Sequence, residues 1–247
     1  MFRSGNPTLT DKTFASVVRA RGEDEMTISG TVNKTGISLV VLVFFALLTW
    51  NGSFGLERLL PTIYVGLGGG LVLALVTVFK KEWAPITTPV YAALEGLFLG
   101  GVSLVFNIRY PGIVFNAVGL TFGVLVALLL AYRSGLIRPS ENLKLGIAAA
   151  TGGIGLVYLV SIGLGFFGRS VPYIHESGPI GIGFSAVVIV IASLNLVLDF
   201  DFIERGVEAG APKYMEWYAA FGLLVTLIWL YLEILRLLAK LQGKGRR

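Results

Sequence analysis

The chain has 247 residues, of which 55% are hydrophobic and 14% charged, with a mean hydropathy of +0.78 and a net charge of +5. Soluble domains carry about 25% charged residues, so this composition excludes an ordinary soluble globular protein. With no cysteine and a single histidine, His175, it also excludes disulfides, thiolate catalysis and cysteine–histidine zinc sites.

In chain order, residues 1–34 form a polar amino-terminal tail of mixed charge, with Glu23, Asp24 and Glu25 ahead of the first apolar run. No cleavable signal peptide is evident there, and the tail is expected to be cytoplasmic. Residues 35–240 hold seven apolar runs: Gly36–Trp50, Leu59–Phe79, Val90–Phe106, Ile113–Tyr132, Leu145–Phe167, Ile180–Leu198 and Trp217–Ala239. About 20 helical residues cross a hydrocarbon core, so the domain is predicted to be a bundle of seven transmembrane helices. The first run is short, and Pro85 and Pro89 interrupt the approach to the third. Residues 241–247 form a short basic tail.

Basic residues distribute by side rather than in one patch with stacking aromatics, so nucleic acid is not a predicted partner; the lipid bilayer is. With a cytoplasmic amino terminus, Arg3, Lys12, Arg19, Arg21, Lys34, Lys80, Lys81, Arg133, Arg138, Lys144, Arg205 and Lys213 fall on the inner side, against Arg58, Arg109 and Arg169 outside. The positive-inside rule supports that orientation. Seven complete spans then place Arg236, Lys240, Lys244, Arg246 and Arg247 outside, against the same rule, so the last segment is either a full span or re-entrant. Early loops dominate orientation, and seven spans is the reading adopted.

The chain's 32 glycines are spread through the apolar runs rather than gathered in a linker. Gly96 with Gly100, Gly119 with Gly123, and the cluster Gly66, Gly68, Gly69 and Gly70 predict close helix packing. A phosphate-binding loop would need a strand before it and a helix after it.

Carboxylic acids at membrane depth are costly and face a bundle interior or a water-filled path. Asp199 and Asp201 close the sixth run; on a continuing helix they point about 200° apart. Asn195, one turn earlier, shares the face of Asp199, whereas Asp201 can pair with Arg205. Glu233 stands inside the last run, either as part of a site or as a local ion pair with Arg236. Glu95 has no base within a turn or two, and is either functional or a protonated acid hydrogen-bonded between helices. Glu204 and Glu216 are expected to be interfacial and solvated. Two carboxylates brought together away from water share a proton and so sense pH. Deprotonated, they attract a hard cation only weakly, since Ca²⁺ takes 6–8 oxygen ligands.

Enzymatic readings fare worse. An intramembrane aspartyl protease needs a glycine-aspartate motif, and no Gly-Asp pair occurs. A membrane serine protease would rest on Gly183-Phe184-Ser185, with no histidine on a later span. His175 lies in a loop beside Glu176. The chain is therefore expected not to be an enzyme.

The stretches Asn195-Leu-Val-Leu-Asp199-Phe-Asp201-Phe-Ile-Glu204, Gly210-Ala-Pro-Lys-Tyr-Met-Glu216-Trp-Tyr and Leu230-Tyr-Leu-Glu233-Ile-Leu-Arg236 resemble the bacterial YccA-like branch of the Bax inhibitor-1 (transmembrane Bax inhibitor motif) family. Asn6-Pro7, Thr31-Val-Asn-Lys-Thr-Gly36, Phe79-Lys80, Ala84-Pro-Ile86, Tyr91-Ala-Ala-Leu-Glu95-Gly96 and Ala150-Thr-Gly-Gly153 extend the resemblance over essentially the whole chain. It implies an all-α membrane fold of seven helices with a central last helix. It also implies a pH-sensitive Ca²⁺ leak, gated by acids on the sixth and seventh helices, in a bacterial inner membrane.

Asp199 matches the sixth-helix acid of the family's Tyr-Asp motif, and Glu233 matches the seventh-helix acid of Leu-Tyr-Leu-Asp. Here the second acid is glutamate, Asp201 is additional, and a longer connection leaves Glu216 as an alternative partner. Lys80 is the nearest match to a basic latch at the end of the second helix, with Arg236 a further latch candidate. The resemblance implies no resident cofactor, Ca²⁺ or H⁺ as a transient passenger, and weak Ca²⁺ contact at Asp199 and Glu233. The competing expectation is a non-transporting regulator that binds a membrane protease or stress machinery.

Overall fold

A computed structural model describes residues 25–53, 55–168 and 178–244. The amino-terminal tail to residue 24, Arg169, His175, Glu176 and residues 245–247 lie outside the described residues. Seven helices follow one another: α1 (Ile28–Trp50), α2 (Leu59–Phe79), α3 (Ala84–Arg109), α4 (Ile113–Arg133), α5 (Glu141–Phe166), α6 (Pro179–Glu208) and α7 (Met215–Lys244). Each is long and apolar enough to cross a membrane. Side chains such as Val40, Phe115 and Leu159 stay exposed, as a bundle solvated by acyl chains requires. The last helix is the most enclosed: 67% of its most apolar stretch is buried, against 6–44% in the other six.

Helix boundaries extend the apolar runs for physical reasons. α1 begins at Ile28, inside the expected polar tail, because the Thr27 hydroxyl accepts a hydrogen bond from Gly30 N at 2.9 Å and caps the first turn. α3 begins at Ala84, before both prolines. Pro85 occupies the first helical positions, where its missing N–H costs no bond, and only Pro89 lies inside the helix. α6 runs on to Glu208, so Asp199, Asp201, Glu204 and Arg205 are all helical. Ser140 caps α5 by accepting from Leu143 N at 3.3 Å. Ser140→Ala should lower stability by about 1 kcal/mol, read as a small fall in the thermal midpoint of detergent-solubilised protein.

The described residues divide into two compact units. The first holds residues 25–111 and 202–225, and the second 112–201 and 226–244. In the first, α1 and α2 both pack on α3. Gly96 and Gly100 of α3 meet the backbone of α1 at Leu42 and Ala46, while Gly66 of α2 meets the α3 backbone at Leu94 and Phe98. The predicted pairing of Gly96 with Gly100 is therefore a packing seam. The other predicted pair is not: among the described residues, Gly119 and Gly123 of α4 have no neighbouring atom within 4 Å of where a Cβ would sit, and Gly68 has none either. Those glycines lie on open helix faces.

Before α1, Met26 N donates to Ala211 O at 2.6 Å in the connection between α6 and α7. Gly210, with φ of 64°, ends α6 there in the left-handed region that favours glycine. The contact sets Thr27 beside the start of α7. In the second unit, α5 and α6 contribute 141–166 and 179–201, and α7 contributes 226–244.

Candidate functional site

The second unit gathers most of the buried charge. Three neighbouring pairs fix the antiparallel register of α5 and α6: Lys144 with Asp201, Thr151 with Asn195, and Tyr158 with Phe184. Lys144 Nζ lies 2.7 Å from Asp201 Oδ2 and 3.1 Å from Glu141 Oε1. Its side chain is almost fully buried, so the acid on α6 supplies the counter-charge that a buried ammonium needs. Asp201 thus has a partner on α5 that sequence spacing, which offered Arg205, could not reveal.

One to two turns further into α6, Asn195 Nδ2 donates to Thr151 Oγ1 at 2.8 Å and to Ile191 O at 2.9 Å. Asp199, one turn from Asn195, is 1% exposed. The inward face expected for it is the one observed.

On α7, Glu233 is equally buried, and its Oε1 accepts from Tyr158 OH at 2.7 Å and from Arg236 Nη1 at 2.6 Å. Arg236 Nη1 also donates to Tyr158 OH at 2.9 Å, closing a three-membered cluster. The local ion pair with Arg236 is therefore present, but Tyr158 of α5 extends it between helices. Glu233 Oε2 is buried with no hydrogen-bond partner among the described residues, an arrangement that a proton or a water molecule would complete. Two turns on, Lys240 Nζ donates to Gly181 O and Ser185 Oγ of α6, each at 2.9 Å.

In the first unit, Glu216 is 0% exposed, which corrects the expectation that it is solvated. Oε1 accepts from Thr27 N and Thr27 Oγ1, both at 2.8 Å, and Lys213 stands 3.3 Å away. Lys34 pairs with Oε2. The carboxylate fills the space a side chain on Gly30 would occupy. A long connection between α6 and α7 therefore does not free Glu216; the start of α1 claims it. Lys80, the expected latch, is an exposed residue at the end of α2; the bases that pair with the buried Glu216 in this unit are Lys34 and Lys213.

Glu95 of α3 is buried, with Tyr91 as its polar neighbour one turn earlier. Its carboxyl lies against the backbone of Gly70 in α2, 2.5 Å from where a Cβ would sit. It is an acid held between helices, the arrangement that the second reading of Glu95 anticipates.

Among the described residues, no three acids or histidines converge to hold a metal ion. Sequence reasoning missed Lys34, Lys144, Thr151, Tyr158, Ser185 and Lys240. The signal available for some of them was a seven-residue recurrence of polar side chains, at 144, 151 and 158 in α5 and at 226, 233 and 240 in α7.

The family model described as Bax inhibitor 1 like matches residues 6–243. No curated protein and no solved structure matches the chain.

Proposed function

Since the chain belongs to the Bax inhibitor 1 like family, we propose that this multi-pass membrane protein leaks cations, Ca²⁺ or protons, under the control of its buried acids on α6 and α7. The reading takes the membrane as a bacterial inner membrane and the amino terminus as cytoplasmic. In it the chain is not an enzyme and keeps no resident cofactor; Ca²⁺ is cargo. The observation that carries it is Glu233, an acid 1% exposed in the most enclosed helix, with one oxygen that has no hydrogen-bond partner among the described residues. Placing a carboxyl there costs folding free energy, and a helix that only packs has no need of one. Asp199, buried on α6 beside Asn195, is the second acid.

The test is ion flux into dye-loaded liposomes holding purified protein, across about pH 6 to 8, where buried carboxyls can titrate. Wild-type flux should vary with pH, and Asp199→Asn and Glu233→Gln should each flatten that profile. A profile unchanged in both variants, with folding intact, removes the gate from these acids. No flux above empty liposomes leaves the regulator of a membrane protease or stress machinery as the reading to pursue, by cross-linking to a stoichiometric partner.

A further inference from the structure

Glu233 is gripped by one oxygen. Oε1 accepts from Tyr158 OH at 2.7 Å and from Arg236 Nη1 at 2.6 Å, which uses both lone pairs of that atom. Arg236 Nη1 gives its second hydrogen to Tyr158 OH at 2.9 Å, so that nitrogen has none left for Oε2. Oε2 itself has no hydrogen-bond partner among the described residues. Arginine and a carboxylate commonly pair fork to fork, with both oxygens bonded. The one-armed pair seen here departs from that habit, and the tyrosine hydroxyl standing between the two charges accounts for the departure.

Tyr158 is well placed to impose it. Its ring meets Phe184 of α6 edge-on, with centroids 6.3 Å apart and planes at 81°, and the Arg236 guanidinium lies 5.3 Å from its centroid. The ring is therefore held by α6 and α7 while its hydroxyl reaches in from α5. The Arg236 side chain is 38% exposed against 1% for Glu233, so the guanidinium is the partner with room to turn.

Resting on the leak reading above, we infer that Tyr158 is the positioning residue of the gate acid: its hydroxyl holds Arg236 to Oε1 and leaves Oε2 open to a passing cation. Hard cations bind through oxygen, and Oε2 is the oxygen of Glu233 that can meet one. Without the hydroxyl, Nη1 loses an acceptor, the guanidinium turns its fork onto both carboxylate oxygens, and the acid is closed by its own helix. Tyr158 thus acts through Arg236 rather than on the ion.

Ca²⁺ and proton flux into dye-loaded liposomes holding full-length protein, at the alkaline end of the range above, test this in two backgrounds. Tyr158→Phe, which keeps the ring, should lower flux severalfold. Arg236→Lys, which keeps the charge without the planar fork, should stay near wild type, and adding Tyr158→Phe to it should lower flux little further. A hydroxyl with a merely structural role would lower flux equally in both backgrounds; that result overturns the inference, as does wild-type flux in Tyr158→Phe. The infrared difference spectrum between wild type and Glu233→Gln reads the carboxylate without flux. It should show two unequally bonded oxygens in the wild type, becoming equivalent in the Tyr158→Phe background. Equivalent oxygens in the wild type overturn the inference whether or not Tyr158→Phe folds. In all these cases the leak reading stands as long as Glu233→Gln alters flux; no wild-type flux of either ion overturns both.

Discussion

Glu216→Ala should cost about 3–5 kcal/mol of stability, the range for removing one partner of a buried ion pair. The substitution strands several groups at once. Thr27 N and Oγ1 lose their acceptor, the Lys34 ammonium loses its counter-charge where its side chain is only 16% exposed, and Lys213 loses a neighbour. Against a total stability of about 5–15 kcal/mol, most of the protein should then be lost to aggregation on heating. The thermal midpoint in detergent, followed by size-exclusion chromatography, measures this. Glu216→Gln should fall between, since the amide oxygen still serves Thr27 but leaves Lys34 uncompensated. Glu216→Leu combined with Lys34→Met should recover much of the loss, as apolar replacement of both partners often does. A midpoint for Glu216→Ala within the spread of exposed substitutions would show that the cluster does not hold α1 in place.

Gly100→Leu should be comparably damaging, for a steric rather than an electrostatic reason. A Cβ at Gly100 meets the carbonyl oxygen, carbonyl carbon and Cα of Ala46, all backbone atoms of α1. A flexible side chain could swing aside; a hydrogen-bonded helix backbone cannot. The two helices must separate, at a cost of about 1–3 kcal/mol for overpacking and more where the whole contact opens. The yield of monodisperse protein and its thermal midpoint should both drop sharply, with Gly100→Ala already showing a loss. Gly123→Ala is the control, because its Cβ enters open space and alanine favours helix by up to about 1 kcal/mol. If Gly100→Leu behaves like Gly123→Ala, α1 and α3 do not rely on backbone approach.

Seven helices were legible because lipid-length apolar runs announce themselves one helix at a time, whereas the central last helix was expected only from the family resemblance. Helix ends were less so: Thr27 and Pro85 act through local hydrogen bonding that the hydropathy of neighbouring residues conceals. Glycine spacing identified the Gly96–Gly100 seam yet gave the same signal for Gly119 and Gly123, since spacing fixes a helix face and not what lies opposite. Asp199 and Glu233 stood out as isolated acids in apolar sequence, and both are buried. Lys34 and Lys144 did not stand out, because near the end of a span a lysine reads as an interfacial anchor. Their burial depends on Glu216 and Asp201, which are remote in sequence. Tyr158 was missed for a similar reason: a tyrosine in a span is unremarkable until its hydroxyl finds a carboxylate.

The contact between the start of α1 and Glu216 also bears on how the protein is made. Lys34 and Glu216 are 182 residues apart, and Thr27 and Glu216 are 189 apart. α1 is synthesised early, carrying a lysine whose counter-charge does not exist until the ribosome reaches the last helix. A nascent chain must hold that ammonium at the membrane surface until the chain is nearly finished. A product truncated before residue 216 keeps an unneutralised base where a folded helix start should be, a mark that would let membrane quality control tell incomplete chains from complete ones.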